Sequence, residues 1–331
     1  MIKFFAKGFF PQYATVFVLG LALWFPAFMQ SPAPPLQNVY WGPFALLLNR
    51  VVMVAGTTGT ILAFLLTFFT GITVNTMAGN FNLSDKAGTL PLFLFVLLAS
   101  FTPALTTASP FIIIVWLVIL LFLTLFRHDD KEDNIMHSFD AGLITGLLTL
   151  FYYPLLLLVF LIWFALISIK GISWRNFVAS ITGLLFPVFL IYAWLFFTGN
   201  ESVLFDKISE IPFYRLNTIF NRFTPDNALI ISVTILIFIS ALSIMNKQKD
   251  LSIKQRSFLS VTGFYIMLSL ILFSFFNSLE ITFLLLPPAA SVTLYHLFTG
   301  STKTKWINIS LWVFIAVVII NSWIKIFDVT Q

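Results

Sequence analysis

The chain has 331 residues, 59% of them hydrophobic and 18% aromatic, with 41 Phe, 18 basic and 13 acidic residues and a formal net charge of +5. Charged residues make up only 9%, against roughly 25% in an ordinary soluble domain, so this chain cannot cover itself with a wetted surface. With no Cys, a disulfide framework, a thiolate metal site, an iron–sulfur cluster and a cysteine nucleophile are all excluded.

No pair among His128, His137 and His296 has the i, i+4 spacing of a helical zinc site, and no GxGxxG or GxxxxGK[ST] run offers a nucleotide-binding loop. The Lys and Arg are dispersed in short loops, which is no nucleic-acid footprint; in a membrane chain such an excess sets orientation. No metal, cofactor or nucleic acid is expected. The expectation is an all-α, polytopic transmembrane helical bundle forming one domain over residues 1–331.

In chain order the apolar stretches predict eleven spans, at about 13–29, 51–73, 90–105, 110–126, 139–152, 154–169, 177–198, 227–245, 258–276, 280–297 and 307–326. The amino-terminal stretch carries Lys3 and Lys7 before an apolar run, like a signal peptide. Pro11 interrupts it and no small-x-small site follows Met29, so it reads as an interfacial segment leading into a retained first helix. Residues 30–50 read as an external loop containing Tyr40 and Trp41 and no acidic residue.

Residues 139–169 decide the topology. As one helix they would measure about 46 Å, too long for a single crossing, and FYYP (residues 151–154) interrupts them. Pro154 removes a donor and disfavours helix at Tyr153. If the chain turns there, one side carries Lys3, Lys7, Lys86, Arg127, Lys131, Lys170, Arg175, Lys247, Lys249, Lys254, Arg256, Lys303 and Lys305, and the other Arg50, Lys207, Arg215, Arg222 and Lys325. Without the turn the two sides come out even. The positive-inside rule selects the turn, with a cytoplasmic amino terminus and an external (in a bacterium, periplasmic) carboxyl terminus.

That arrangement brings Arg50, Tyr152, Tyr153, Glu280 and the polar segment 199–226, which holds Asp206, Glu210, Arg215 and Arg222, to one external face. Glu280 is the candidate general base or ligand anchor there; its plainer role is a loop carboxylate paired with Arg50. Phe213, Leu216, Ile219, Phe220 and Phe223 recur at roughly helical spacing, as in a short helix lying on the membrane surface. Asp140 starts the fifth span, where a carboxylate suits a helix amino terminus, and His296 ends the tenth as an interface residue. Gly56 and Gly59 of GTTGT, and Gly142 and Gly146 of GLITG, allow close helix packing. Pro287–Pro288 interrupts the tenth span.

The order DAG (140–142), YYP (152–154), WR (174–175), then Gly183-x-x-x-Pro187 resembles an uncharacterised family of polytopic bacterial inner-membrane proteins of about this length. The same central region is similar to the membrane core of GT-C glycosyltransferases, which implies transfer of sugars from polyprenyl-phosphate carriers at the external face. Those enzymes carry an acidic residue in the first external loop, and residues 30–50 hold none.

The leading functional expectation is a non-catalytic subunit of a bacterial envelope assembly in the inner membrane, with membrane lipids and other membrane proteins as its partners. The rival is a GT-C-like enzyme in which Glu280, or an acidic residue of 199–226, replaces the missing carboxylate. A lipid or small-molecule transporter is the third; it would normally show inverted repeats and mid-membrane charges, and neither is evident in the sequence.

Overall fold

The computed structural model describes residues 2–5, 8–29, 41–81, 88–100, 110–126, 135–170, 173–199, 251–276 and 279–299, with five positions between 311 and 319. The described residues form ten α-helices and one 3-10 segment: α1 (Ile2–Phe5), α2 (Phe10–Met29), α3 (Pro43–Asn80), α4 (Leu90–Ala99), α5 (Phe111–Phe126), α6 (Ile135–Phe151), the 3-10 segment Tyr153–Leu158, α7 (Val159–Lys170), α8 (Trp174–Phe197), α9 (Ile253–Phe276) and α10 (Leu279–Thr299). Four are long and apolar enough to cross a membrane: Phe10–Met29, Gly56–Asn80, Trp174–Phe197 and Ile253–Leu272. Leu90–Ala99, Ile112–Phe126, Ile135–Phe151 and Tyr153–Ile169 are shorter apolar helices. The expected spans 227–245 and 307–326 lie outside the described residues, apart from the five positions in the latter.

Residue contacts fix the helix directions. On α6 and α8, Gly142 lies against Ser180 and Leu184, Gly146 against Leu184 and Pro187, and Gly183 against Phe139 and Leu143. The partner number rises with the residue number, so α6 and α8 run parallel. The stretch 153–170 therefore carries the chain back between them, and its own contacts agree. Trp163 donates to Ser180 Oγ at 3.2 Å, Phe164 stacks on Phe264 at 4.3 Å, and Ser257 donates to Ser168 O at 3.2 Å. It is antiparallel to both α8 and α9.

The reversal occurs at Tyr152, whose extended backbone (φ −150°, ψ 111°) separates α6 from the 3-10 segment. Pro154 sits at the start of that segment, where its missing N–H costs nothing. Asn75 of α3 donates to Tyr13 Oη of α2 at 3.3 Å and Phe64 contacts Gly20, so these two helices are antiparallel as well. Among the described helices the directions alternate from α2 to α8 and again from α9 to α10, α8 and α9 being parallel, and the bundle has a Tyr152 end and an opposite end.

The interior is mostly carbon, and many of its threonine hydroxyls are turned back onto their own helices. Thr67 donates to Ala63 O at 2.9 Å, Thr145 to Ala141 O at 3.0 Å and Thr262 to Phe258 O at 2.7 Å. An unbonded hydroxyl in such surroundings would cost several kcal/mol. Rings fill the rest. At the opposite end Phe81 stacks on Phe258 at 4.2 Å and Phe126 meets Phe258 at 4.9 Å, joining α3, α5 and α9.

Three sequence expectations need correction. Residues 43–50 are not external loop: α3 begins at Pro43, a residue well suited to a first helical position. The second span is not a plain helix over 51–73. Helical residues run from Pro43 to Asn80 with a break at Gly56 (φ 53°, ψ −130°), and Gly56–Asn80 is the part long enough to cross. The tenth span does contain Pro287 and Pro288, yet α10 is helical across both.

Candidate functional site

The Tyr152 end gathers the residues that the sequence singled out, in an arrangement the sequence does not disclose. Gly42 N–H donates to Phe151 O at 2.9 Å, and Trp41 pairs with Tyr152 as an isolated antiparallel bridge. Their rings meet edge to face, 5.5 Å between centroids, a favoured geometry for aromatic pairs. Phe44 and Phe151 lie at 5.7 Å. Trp41 and Tyr152 are 1% and 0% exposed. Gly42 is required here, because a Cβ would overlap the carbonyl oxygen of Leu150. Tyr152 is thus a packed core residue, and Tyr153 beside it is also buried.

Arg50 lies on the first part of α3 and Glu280 in the first turn of α10. The helix directions bring both backbones to the Tyr152 end; their side chains lie outside those described. Asp206, Glu210, Arg215 and Arg222 also lie outside the described residues. Of the glycines, Gly142 and Gly146 pack directly on the backbone of α8, and Gly59 is buried. Gly56 differs: no described atom lies within 4 Å of where its Cβ would be, and its φ is positive. Its role is conformational, since L side chains rarely adopt that backbone.

Beneath this end runs a seam between α3, α4, α5 and α10. Thr67, Thr70, Phe95, Ala99, Ile112, Val115 and Pro287 line a void of about 10 Å³. A second, of about 20 Å³, is lined by residues that include Val74, Met77, Ile119, Phe122, Thr262 and Pro288. Each is about the size of one water, and the linings are almost wholly carbon. Pro287 and Pro288 fall between the two voids. The sequence hides Trp41, Gly42 and the seam as a site. The usable signal was the proline of Gly42–Pro43, followed by the apolar run FALLL, which marks a helix start.

What the fold defines is an all-helical protein with helices long enough and apolar enough to cross a membrane. The chain belongs to a family of unknown function (DUF6427), which it matches over residues 39–330. Neither the curated proteins nor the solved structures contain a match.

Proposed function

We propose that the chain is a multi-pass protein of the bacterial inner membrane, with eleven spans, a cytoplasmic amino terminus and a periplasmic carboxyl terminus. In this reading it serves as a non-catalytic subunit that binds lipids and partner membrane proteins in an envelope assembly. The span count adds 227–245 and 307–326 to the nine described helices taken as spans, α2 to α10, and in this reading 227–245 is the one crossing that the parallel directions of α8 and α9 require between them. The orientation follows from the uneven distribution of Lys and Arg.

One observation carries the functional reading. The inner face of α8 packs through Ala179, Ser180, Gly183 and Pro187, while its outer face is apolar from Trp174 (71% exposed) through Val178, Leu185 and Phe189 to Phe196, and Trp194 (70% exposed) lies on the inner side near the far end of the helix. The two Trp are separated by about 30 Å along the helix, the thickness of a hydrocarbon core, and Trp favours both of its boundaries. Such a face is covered by lipid tails or by another membrane protein. Purification in mild detergent after cross-linking tests the subunit role. A specific membrane protein should co-purify, and a chain that runs alone argues against it.

The enzyme alternative draws on the convergence of the Arg50 and Glu280 backbones at one end, the side where a GT-C-like enzyme would act. Replacing Glu280, Asp206 and Glu210 singly tests it in a strain lacking the native protein. If none of the three alters the glycan or lipid-linked products, that reading has lost its acids.

A further inference from the structure

We infer that the outward faces of α7, α8 and α9 form an apolar groove that seats the acyl chains of one anionic phospholipid, its phosphate held by basic residues at the mouth, where α7 ends and α8 and α9 begin. The inference rests on the multi-pass reading above and names a lipid class for it. It depends on neither the subunit role nor the enzyme alternative.

The floor of the groove is α7. Trp163 donates to Ser180 of α8 at 3.2 Å, and the Phe164 ring stacks on Phe264 of α9 at 4.3 Å, so α7 lies between the two. At about 100° per residue, Phe160 and Ile167 fall between the directions of Trp163 and Phe164, and both are exposed. Leu161, Ile162, Ala165 and Leu166, on the other side of α7, are buried in the bundle. An apolar strip of α7 thus faces outward with a helix on each side of it.

The walls carry matching strips. Ile181 lies one turn beyond Phe177, whose ring meets that of Trp163 at 5.9 Å, so it stands on the flank of α8 beside α7. Ile181 and Leu185 are exposed and follow Trp174 by seven and eleven residues, on one helix face. On α9, Met267 lies one turn beyond Phe264 and is exposed, and Gly263 has no described atom within 4 Å of where a Cβ would be. These two follow Arg256 by the same seven and eleven residues.

Charge selects the occupant. All three strips reach one end of the bundle, where α7 closes with Lys170, α8 opens with Trp174 and Arg175, and α9 carries Lys254 and Arg256 among its first four residues. Ser257 donates to Ser168 O at 3.2 Å and holds the end of α7 against the start of α9. Arg175, Lys254 and Arg256 are exposed; Arg256 Nε donates to Leu251 O at 2.8 Å. Neither α8 nor α9 has an acidic residue in its first turn, and neither has a basic one in its last. An apolar groove with cations at one end only matches a molecule with long tails and one anionic head. A neutral lipid would leave those cations without a counter-charge, and the leaflet on the Lys- and Arg-rich side is the anionic one.

The full chain, delipidated in mild detergent, is titrated with phosphatidylglycerol and with phosphatidylcholine of identical chains, and bound lipid is counted by native mass spectrometry. Phosphatidylglycerol should bind more tightly, and excess inorganic phosphate should not displace it. Lys170→Gln with Arg256→Gln should weaken phosphatidylglycerol by about thirtyfold and leave phosphatidylcholine unchanged. Lys7→Gln with Lys86→Gln, an equal loss of charge in the connections before α2 and α4, should change neither. Gly263→Leu, which fills the groove, should weaken both lipids. Equal binding of the two lipids by the native chain would overturn the inference, as would equal losses from the two double variants. Selectivity that emerges only once Asp129, Asp130, Glu132 and Asp133 are neutralised would overturn it too, because that acidic run would then hold the mouth. A chain that binds neither lipid contradicts the multi-pass reading itself, which separates that failure from the others.

Discussion

Gly183 of α8 lies so close to the carbonyl oxygen of Phe139 on α6 that a side chain of any size would overlap it. Without a hydrophobic force between helices in lipid, association depends on this kind of close backbone approach, and α6 and α8 share the most extensive packing of any described pair. Gly183→Val is expected to destabilise the protein by about 2–3 kcal/mol through overpacking. Gly263→Ala, with no described atom within 4 Å of the new methyl, should be neutral or stabilising by up to about 1 kcal/mol. Thermal unfolding of the two variants in one detergent checks the contrast.

Gly56 makes the opposite kind of demand. No described atom lies near where its Cβ would be and its backbone is unusual, so Gly56→Ala should cost about 1–3 kcal/mol although the methyl touches nothing described. A loss as small as that at Gly263 would show that the break relaxes freely.

Two indole–hydroxyl bonds of equal length separate the effect of burial from that of the bond. Trp24 donates to Ser100 Oγ at 3.2 Å and is fully buried; Trp163 donates to Ser180 Oγ at 3.2 Å from a half-buried position. Leaving a buried donor unpaired costs about 1–3 kcal/mol. Ser100→Ala should therefore lower the unfolding temperature clearly more than Ser180→Ala does. Equal shifts would mean that packing around the serines, not the stranded N–H, sets the cost.

The outer face of α8 gives a depth ruler. Nitroxide labels at Leu185→Cys should be accessible to oxygen and shielded from a polar nickel reagent, as in the hydrocarbon core. A label at Trp174→Cys should respond to both. If Leu185→Cys is shielded from oxygen as well, a protein rather than lipid covers this face.

How much of this was legible in the sequence depended on whether the deciding contact was local. The break at Tyr152 was, because Pro154 acts on its own helix and on the residue before it. The expected span 110–126 and the helix Phe111–Phe126 agree because an uninterrupted apolar run needs no partner to define it. Pairing of Trp41 with Tyr152 was not legible: it joins positions far apart in sequence, and nothing in PPLQNVYWGPF names the partner. Gly56 was read as a packing residue because GTTGT looks the same whether its glycines supply closeness or a positive φ. Gly142 and Gly146 have the same kind of spacing, and there closeness is what the fold uses. The candidate acids of 199–226 were chosen on charge alone, and no described residue tests their convergence.

The reversal at Tyr152 and the orientation built on it carry the rest of the account. They are tested most directly by single-cysteine labelling of intact cells, since the native chain contributes no background thiol. A membrane-impermeant maleimide applied from outside should label Asp206→Cys and leave Lys249→Cys untouched until the membrane is opened. Labelling of Lys249→Cys in sealed cells, with Asp206→Cys protected, would contradict it.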